Sequence, residues 1–476
     1  MAISGSEPVY DVLVVGAGPA GLAAAAQAGA AGATVALVDA GSAPGGQYWR
    51  HPAPGPDGRA GLRREDVAYL HHDLASYRRL VGRLDAHRGR GTTAYLPRHQ
   101  VWTVTRDDDR FTAHAVDRTD GRSGTAEVTG RRLVLATGAY DRQIPFPGWD
   151  LPGVMTAGGV QALLKGHGVR AGRRVLVAGT GPFLLPVAAG LADSGAQVLG
   201  VHESSAPRRW VSEGGAVLRN PGKLAEGAGY ARALVRHRVP VRTCSTVVAA
   251  HGTDELEAVT VARVDTGGRT MRGSERRVEV DTLAVGWGFT PQLELPLALG
   301  CATLVDADGS LVCAVDERQA ASVPGVYVAG EPCGVGGAAL AVLEGAVAGA
   351  QAASAGGGAP LDRRLVRRRT ALRRFAAAMH RAHPVPAGWV DRVEPDTVVC
   401  RCEEVTAADL RTAVDDRGAR GARDAKLLAR PGMGWCQGRI CGYPTACLTA
   451  AWSGEPYTPE GTGTRPVASP VPLGRL

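Results

Sequence analysis

A glycine motif that directly follows a buried strand constrains the fold of this chain more than any other feature. The apolar run Tyr10–Val15 predicts a strand, and Gly16, Gly18 and Gly21 come immediately after it. In such a unit the first glycine allows a tight turn, the second lets the backbone approach a pyrophosphate, and the third lets a helix pack closely on the strand. The pattern therefore predicts an α/β unit that binds a dinucleotide.

The residues around this motif strengthen the prediction. Pro19 and Ala20 open an alanine-rich stretch with a predicted helix over Leu22–Ala33, and a second strand follows over Thr34–Asp39. Asp39 stands 23 positions after the first glycine, where an acidic side chain accepts hydrogen bonds from a ribose. The helix N-terminus offers free N–H groups and the positive end of its dipole to phosphates. A glycine turn without a ligand is the alternative.

A second, altered copy of the unit lies downstream. A predicted strand over Arg174–Ala178 precedes Gly179 and Gly181, and Glu203 follows the next predicted strand. Leu184 holds the position of the third glycine, and we expect its side chain to obstruct packing of the helix on the strand. Two interpretations stay open: a structural duplication without a ligand, or a site that holds NAD or another adenine nucleotide differently. Glu203 would favour a free ribose 2′-hydroxyl over a 2′-phosphate, because two negative charges repel.

Charge and hydropathy exclude several classes of protein. The net charge is +8, but only three of the 54 basic residues are lysines, which indicates a general preference for arginine and not a nucleic-acid surface. The chain has no stretch of about 18 uncharged apolar residues, and its first residues lack the pattern of a leader peptide. We therefore expect a cytoplasmic protein without a transmembrane segment or a nucleic-acid partner.

Four cysteines near the C-terminus form two close pairs. Cys400 and Cys402 are separated by one residue, and Cys436 and Cys441 are separated by four. Paired cysteines in a cytoplasmic protein indicate a metal centre, and thiolates suit zinc or iron–sulfur. Zinc ribbons usually have two to four residues within each pair. The pattern resembles the 2Fe–2S domain of bacterioferritin-associated ferredoxin, with zinc and a ligand-free set of thiols as alternatives.

The other cysteines and the histidines give no catalytic pattern. Buried thiols are expected at Cys244, Cys301, Cys313, Cys333 and Cys447. No closely spaced cysteine pair follows the second strand or lies in the second unit, so disulfide-reductase chemistry lacks its dithiol. No catalytic residue is assigned from spacing.

The order of these motifs resembles the two-dinucleotide-binding flavoproteins, over residues 10–350. In that family the chain forms half of an FAD domain, then a complete NAD(P)H domain, and then finishes the FAD domain. The resemblance implies an α/β fold of two Rossmann-like domains, one inserted in the other, followed here by a small helical 2Fe–2S domain. It also implies FAD contacts from Gly46, Gln47, Thr137, Gly138, Gly330 and Glu331. The last of these matches a family acid, usually Asp, that binds the ribityl chain.

The resemblance also predicts domain boundaries. They are 8–148 and 286–352 for the two parts of the FAD domain, 149–285 for the inserted NAD(P)-like domain, 353–395 for a linker and basic helix, 396–453 for the 2Fe–2S domain and 454–476 for an extended tail. The basic helix is predicted over Leu361–Met379. Its arginine-rich face has three interpretations: a solvated surface, a docking face for a partner subunit, or a nucleic-acid contact.

Several sequence blocks narrow the resemblance. They are GGQYWR at 45–50, ATGAYDR at 136–142, FPGW at 146–149 and LPGVMTAGG at 151–159. Together they are similar to a group that comprises the A subunit of opine oxidases, the B subunit of hydrogen cyanide synthase, and the α subunits of hydroxyproline dehydrogenase and heterotetrameric sarcosine oxidase. That resemblance implies an FAD-dependent oxidoreductase that belongs to a multisubunit enzyme for amino acids or their N-substituted derivatives.

In such complexes a β-type flavoprotein subunit usually oxidises the C–N bond of the small-molecule substrate. The subunit that this chain resembles carries the electrons onward. A hetero-oligomer is therefore implied, and its other members would be the β-type flavoprotein together with a small ferredoxin-like subunit. Two other classes of function stay open. One is a stand-alone NAD(P)H:acceptor reductase, which needs a working second nucleotide site. The other is a mainly structural subunit whose nucleotide sites bind ATP or nothing.

Overall fold

The first glycine motif joins a strand to a helix, as its sequence predicts. The computed structural model describes residues 8–52, 68–118, 124–354, 359–459 and 467–471. β1 (Val9–Val15) leads into α1 (Pro19–Ala30), and β2 (Val35–Val38) follows. The helix begins three residues earlier than predicted because Pro19 takes its first position, where a backbone N–H is not needed. It ends shortly before Gly32, whose φ of +90° most side chains avoid.

The other elements follow in chain order. The first group is α2 (Leu74–Gly89), β3 (Thr93–Leu96), β4 (His99–Asp107), β5 (Arg110–Asp117), β6 (Gly124–Leu135) and β7 (Ala139–Asp141). The second group is β8 (Val154–Thr156), α3 (Ala157–His167), β9 (Arg174–Gly179), α4 (Leu184–Asp193), β10 (Gln197–Glu203), α5 (Gly214–Leu218), α6 (Pro221–Arg236), β11 (Val241–Thr243), β12 (Ser245–His251), β13 (Ala258–Arg263), β14 (Arg276–Glu279) and β15 (Thr282–Gly286). The third group is β16 (Phe289–Pro291), α7 (Glu294–Ala298), β17 (Thr303–Val305), β18 (Leu311–Cys313), β19 (Val326–Val328), α8 (Ala338–Ala353), α9 (Arg363–Ala382), β20 (Val398–Cys400), β21 (Val405–Thr406), α10 (Ala407–Asp415), α11 (Ala422–Ala429) and α12 (Gly442–Ser453).

The first sheet is interrupted by the inserted part of the chain. Its parallel strands run in the order β3-β2-β1-β6, and β19 also pairs with β6 in parallel. β4 and β5 extend the sheet as an antiparallel meander on β6. The chain leaves this sheet after β6 and returns to it only at β19, so one domain is built from two separate parts of the sequence.

A second sheet lies between those two parts. It is fully parallel, in the order β11-β10-β9-β15-β8, and the antiparallel sheet of β12, β13 and β14 accompanies it. The short strands β7 and β16 pair with each other at the crossing between the two domains. The prediction of an α/β fold with one Rossmann-like domain inserted in another is thereby confirmed.

α8 packs in parallel on α1 through glycines. A Cβ on Gly345 would lie 2.0 Å from the carbonyl oxygen of Ala20, and one on Gly349 would lie 2.2 Å from that of Ala24. Only glycine permits so close an approach of the two backbones. Because the contacts advance in the same direction along both helices, their N-termini point to the same edge of the first sheet, where β1 ends.

The C-terminal cysteines lie in a small unit made of the hairpin β20–β21 and the helices α10, α11 and α12. A capping box opens α10, in which Thr406 and Asp409 each bond the backbone of the other. Val399 and Leu448 of this unit share one apolar core with Trp149 of the inserted part. The cysteine unit is therefore packed on the two-domain body.

α9 is the longest helix in the described part of the chain. It packs on α8 through Leu372, which joins Leu340 and Leu343 in a small apolar cluster. The N-cap of α9 is Asp362, whose side chain accepts a hydrogen bond from the Arg364 N–H. Neither α9 nor any other helix within the ranges given above is long and apolar enough to cross a membrane.

Candidate cofactor sites

Asp39 lies against the first glycine turn at the carboxyl end of β2. Its Oδ2 accepts a hydrogen bond from the Ala17 N–H at 2.6 Å, and its Oδ1 accepts one from the Gly41 N–H at 2.7 Å. Burial raises the pKa of Asp39. The carboxyl group is held beside the turn, where the sequence predicts a contact with a ribose.

Open space borders the turn on the side where a pyrophosphate would approach. A Cβ on Gly18 would meet nothing nearer than the Cα of Gly46 at 4.0 Å, and one on Gly138 would meet no atom within 4 Å. By contrast, a Cβ on Gly21 would lie 1.7 Å from the carbonyl oxygen of Gly16. Gly21 is therefore required for packing of the helix, whereas Gly18 keeps a surface accessible to a ligand.

Two helix N-termini meet at this space. Gly18 is the N-cap of α1 and Gly337 is the N-cap of α8, so no capping side chain covers the N–H groups of either first turn. A Cβ on Gly337 would meet no atom within 4 Å. Uncapped N–H groups and the positive ends of two parallel helix dipoles favour a bound anion.

The loop that contains Gly46 lies over the same turn. A Cβ on Gly46, which has a φ of +57°, would come within 2.8 Å of the Cα of Gly18. The side chain of the next residue, Gln47, accepts a hydrogen bond from Arg50 Nε at 3.0 Å. The structure thus places Gly46 against the glycine motif and directs the Gln47 amide to its own loop.

The two separate parts of the first domain also meet here. The Thr137 hydroxyl donates to the Gln292 carbonyl at 2.9 Å, and the Gln292 N–H donates to the Gly138 carbonyl at 3.0 Å. A Cβ on Gly330 would lie 3.1 Å from the Cβ of Ala20 on α1. Residues that are far apart in the sequence therefore line one site.

Glu331 folds over the loop before α8. Its carboxyl oxygens accept hydrogen bonds from the Gly336 N–H at 3.1 Å and the Gly337 N–H at 3.0 Å. Burial raises the pKa of Glu331 to about 7, although the nearby Arg373 opposes the shift. A carboxyl group that titrates near neutrality thus lies where the family resemblance implies a contact with a ribityl chain.

These features fit FAD. The structure brings the predicted residues together at one edge of the first sheet: Gly16, Gly18, Pro19, Ala20, Gly21, Asp39, Gly46, Gln47, Thr137, Gly138, Gly330 and Glu331. A glycine-lined space, uncapped N–H groups and a carboxyl acceptor are what the adenosine diphosphate half of a dinucleotide requires.

Glu203, the corresponding acid of the second unit, is engaged by its own chain. Its Oε2 accepts a hydrogen bond from the Gly181 N–H at 2.7 Å. Its Oε1 accepts one from the Thr180 hydroxyl at 3.0 Å and one from the Ser205 N–H at 2.8 Å. A Cβ on Gly181 would meet no atom within 4 Å, so the turn itself is open.

The expected obstruction by Leu184 is wrong. α4 begins at Leu184, five residues after Gly179, whereas α1 begins three residues after Gly16. The later start moves Leu184 past the turn and buries its side chain, with Cδ2 2.9 Å from the Cβ position of Gly286. A glycine on the neighbouring strand supplies the room that the missing third glycine would have given.

A side chain from beyond α9 lies beside Glu203. His383 Nδ1 is 3.3 Å from Glu203 Oε2, and the Trp210 indole N–H donates to His383 Nε2 at 3.0 Å. The Trp210 ring also contacts His383 edge-on and Phe375 of α9, with ring centroids 5.6 Å and 6.0 Å away. A ribose that approached Glu203 would therefore meet protein side chains.

The four predicted cysteines meet in the C-terminal unit. Hydrogen bonds join Cys441 to Cys400 and to Cys436, and another joins Cys436 to Cys402. The bonds from Cys441 lower the pKa of Cys400 to about 6 and that of Cys436 to about 5. Cys400 and Cys441 are buried, whereas Cys402 is exposed.

The type of donor, though not its arrangement here, fits a 2Fe–2S cluster, because two cysteine pairs could supply two thiolates to each of two irons. The loop before Cys436 lies close to the other pair, since a Cβ on Gly434 would be 2.2 Å from the Cβ of Cys402. No three or more His, Cys, Asp or Glu side chains in the described ranges are arranged to hold a metal ion.

Arg439 links the cysteine loop to the first cofactor site. Its Nε lies 2.8 Å from Glu294 Oε1 and donates to the Tyr140 hydroxyl at 2.9 Å, and that hydroxyl donates to Glu294 at 3.1 Å. Arg439 also donates to the Cys436 carbonyl at 3.1 Å. Tyr140 is two residues after Gly138, which borders the glycine-lined space.

Two further contacts fasten the cysteine unit to the body. The Arg142 guanidinium lies 4.6 Å from the centre of the Tyr443 ring on α12, and the Trp149 indole N–H donates to the Val398 carbonyl at 2.6 Å. Sequence reasoning did not assign roles to these residues or to Arg439. Two signals could have found them: Arg142 and Trp149 stand in the blocks that carry the family resemblance, and Arg439 lies between two predicted ligands.

Comparisons with known proteins agree with this arrangement. Residues 10–357 match the family described as pyridine nucleotide-disulphide oxidoreductase. The chain is 35% identical to hydrogen cyanide synthase subunit HcnB of Pseudomonas aeruginosa, over 90% of this chain and 91% of that protein. It is 33% identical to the A subunit of opine oxidase from Rhizobium meliloti, over 98% of each chain.

Among solved structures, the L-proline dehydrogenase from P. horikoshii shares the fold. The TM-score is 0.70, and the match covers 98% of this chain and 79% of that chain at 20% identity. The fold, the family match and the relatives over nearly the whole chain agree. The chain therefore belongs to the pyridine nucleotide-disulphide oxidoreductase family, as an FAD-dependent oxidoreductase related to HcnB and to the A subunit of opine oxidase.

Proposed function

We propose that this chain is the electron-transfer subunit, carrying FAD and a 2Fe–2S cluster, of a multisubunit dehydrogenase or oxidase. The proposed reaction is oxidation of the C–N bond of an amino acid or N-substituted amino acid of the opine, glycine, sarcosine or hydroxyproline type. The names of the relatives, HcnB and the A subunit of opine oxidase, support an assembly of several subunits. The proposed partners are a β-type amine-oxidising flavoprotein and a small ferredoxin-like subunit.

FAD is proposed to lie at the carboxyl edge of the first sheet. Gly18 and the N–H groups that begin α1 and α8 would face its pyrophosphate, Asp39 its ribose and Glu331 its ribityl chain. Since the pKa of Glu331 is raised to about 7, this carboxyl group can donate or accept a hydrogen bond near neutral pH. When bound, FAD accepts two electrons together and releases them singly, and a 2Fe–2S cluster takes one electron at a time.

The proposed cluster ligands are Cys400, Cys402, Cys436 and Cys441. Their contacts with one another support a shared centre, and the exposure of Cys402 would bring one side of the cluster within reach of an acceptor protein. None of the nine cysteines, all of which lie in described ranges, forms a disulfide. Free thiols support a reducing compartment, and we propose the cytoplasm.

The observation that carries the proposal is the contact of Arg439 with Tyr140 and Glu294. Both charged side chains are largely buried, at 13% and 15% exposure, so breaking the pair would leave an uncompensated buried charge. The pair holds the cysteine loop against β7 and the start of α7, and Tyr140 of β7 is two residues from Gly138. A fixed, short separation between the two cofactor sites is what a subunit that carries electrons requires.

The features of the second unit favour a subunit that carries electrons over a stand-alone reductase. We propose that it binds NAD or another adenine nucleotide weakly, because Glu203, unlike Asp39, also accepts a hydrogen bond from a hydroxyl, that of Thr180, and has His383 beside it. A reductase that used NAD(P)H would need this acid to be available to a ribose. No observation favours a purely structural role for the first unit.

Arg439→Met tests the proposal in the full chain loaded with FAD and iron. Light-driven anaerobic reduction of the flavin, followed at wavelengths that separate the two cofactors, gives the rate of cluster reduction. We expect Arg439→Met to slow that rate by about tenfold or more, since small displacements of reacting groups have effects of this size. FAD and iron contents should stay at the wild-type level. Tyr140→Phe, which removes one hydroxyl from the same contact, should slow the rate less.

Arg430→Met is the matched control. Arg430 lies between the two cysteine pairs, whereas Arg439 lies within the second pair, and Arg430 pairs with Glu403 at the surface and is 67% exposed. The rate of cluster reduction in Arg430→Met should stay within about twofold of the wild-type rate. A wild-type rate in Arg439→Met with both cofactors bound would contradict the proposal, as would rapid bleaching of the flavin by NADH in the isolated chain. If Arg439→Met loses its cluster, the Tyr140→Phe rate decides the question.

A further inference from the structure

The net positive charge of the chain is concentrated on one helix. α9 contains eight arginines and no acidic residue, and the rest of the chain has 46 basic and 46 acidic residues. A general preference for arginine over lysine explains which basic residue is used. It does not explain why the whole excess of +8 falls within one helix of 20 residues.

Three of these arginines anchor the helix to the body. Arg373 forms a bidentate pair with the buried Glu344 at 2.7 and 2.8 Å. Arg369 donates to the Glu317 carbonyl at 2.8 Å. Arg381 pairs with Glu213 of the inserted domain at 2.7 Å. The helix is therefore fixed to both Rossmann-like domains and presents one orientation to solvent.

The other five arginines form a single exposed face, which we name the arginine face: Arg363, Arg364, Arg367, Arg368 and Arg374. At 100° per residue they lie within an arc of about 140°, and they extend for about 16 Å along the helix. None of the five side chains has a hydrogen bond or ion pair with another residue that the structure describes. The face carries five positive charges that the described part of the chain leaves uncompensated.

This arrangement is unfavourable for the helix alone. Arg363 and Arg367 are spaced i,i+4, as are Arg364 and Arg368, and like charges at that spacing repel. Arg363 and Arg364 lie in the first turn, where the positive end of the helix dipole opposes cations. A surface that served solubility alone would gain from mixed charges. A complementary acidic surface would offset both the repulsion between the arginines and their unfavourable interaction with the helix dipole.

We propose that the arginine face is the docking surface for an acidic face of the partner flavoprotein subunit. This inference rests on the proposed function, which supplies the partner. The position of α9 supports it, because Arg373 on the same helix donates to the Gly334 carbonyl at 2.7 Å, in the loop after Gly330 and Glu331. Arg374 of the arginine face lies about one helix diameter, about 10 Å, from the side of α9 that contacts the proposed flavin-binding loop, and the other four arginines lie about 8–15 Å from Arg373 along the helix axis.

The test measures how tightly the complex holds together. The complex is isolated from its own host through a tag on this chain, and its dissociation constant is measured by mass photometry. The variant R363Q/R364Q/R367Q/R368Q should raise that constant by at least about tenfold at low salt. Raising the ionic strength from about 0.05 M to about 0.5 M should weaken the wild-type complex and affect the variant much less.

The control variant R78Q/R79Q/R83Q/R90Q removes the same charge from exposed positions on or just after α2 and should bind as wild type does. Wild-type affinity and salt dependence in the first variant would overturn the assignment of the surface and leave the proposed function standing. A tagged chain that emerges without any partner subunit would overturn both.

Binding of a mixed-sequence 30-base-pair DNA duplex at micromolar affinity, lost in the first variant, would assign the face to nucleic acid instead. Unchanged melting temperatures exclude unfolding as the cause.

Discussion

The two Rossmann-like units of this chain share a topology and differ in what surrounds their glycine turns. In the first, α1 begins three residues after Gly16 and the space beside Gly18 is open. In the second, α4 begins five residues after Gly179, and Glu203, which like Asp39 is bonded to the backbone of its own turn, also accepts a hydrogen bond from the Thr180 hydroxyl and lies beside His383. The same strand–turn–helix order therefore yields one site prepared for a dinucleotide and one that the protein itself occupies in part.

The difference at the third position of the motif goes together with a difference in where the helix starts. With Gly21, the helix backbone can lie directly against the carbonyl of Gly16, and its N–H groups begin at the turn. In the second unit, where Leu184 holds this position, the helix starts later, and Gly286 on the next strand makes room for the side chain. The second unit keeps its packing, and its helix begins farther from the glycine turn than in the first unit.

The largest expected effect comes from adding a methyl group to the first unit. Gly21→Ala would place a Cβ 1.7 Å from the Gly16 carbonyl oxygen, so helix and turn must separate. We expect loss of bound flavin and a decrease of at least about 3 kcal/mol in the free energy of unfolding, measured by absorbance and urea denaturation.

Gly181→Ala in the second unit is the control. Its Cβ meets no atom within 4 Å, so it should keep its flavin and lose about 1–2 kcal/mol through its φ of +102°. Equal behaviour of the two variants would remove the distinction between the units.

A smaller effect is expected at the residue that faces the ligand space. Gly18→Ala adds a Cβ whose nearest neighbour is 4.0 Å away, and the φ of Gly18 is an ordinary −70°. The apoprotein should unfold within about 0.5 kcal/mol of wild type. FAD affinity, measured by fluorescence titration of the apoprotein, should fall by at least about tenfold because the methyl group enters the pyrophosphate position. Full flavin at wild-type affinity would show that the pyrophosphate does not bind here.

The smallest effect is expected in the second unit. Wild-type protein should bind NADH weakly, and NADPH more weakly still because Glu203 repels a 2′-phosphate. His383→Ala should strengthen NADH binding by about fivefold, since Glu203 would no longer be shared with a side chain. Isothermal titration calorimetry measures both. Tight NADPH binding by the wild-type protein would contradict the description of this unit as partly self-occupied.

The sequence predicts the first unit well because its signals are local. The turn, the helix and Asp39 all lie within 30 residues, and each follows from the backbone freedom of glycine or the order of strand and helix. The cysteine pairs are equally local. The later start of α4 was missed because it depends on Gly286, a residue on another strand.

The contacts that join the parts of the molecule could not be predicted in the same way. Arg439 and Tyr140 are 299 positions apart, and Trp149 and Val398 are 249 positions apart. Such contacts depend on how finished domains pack, and no periodicity in the sequence encodes them. The blocks around Tyr140 and Trp149 carried the family resemblance, and the structure gives a physical reason: they form the surface on which the cysteine unit is packed.

The central claim is that one chain holds both FAD and a 2Fe–2S cluster, and one preparation tests it most directly. FAD, iron and acid-labile sulfide are quantified in the protein as purified, and the dithionite-reduced protein is examined by electron paramagnetic resonance. The account predicts an iron-to-FAD ratio of about two with matching sulfide and a reduced-cluster signal. The signal should be lost in Cys436→Ser and kept in Cys447→Ser. One zinc without sulfide, or no flavin, would contradict the account.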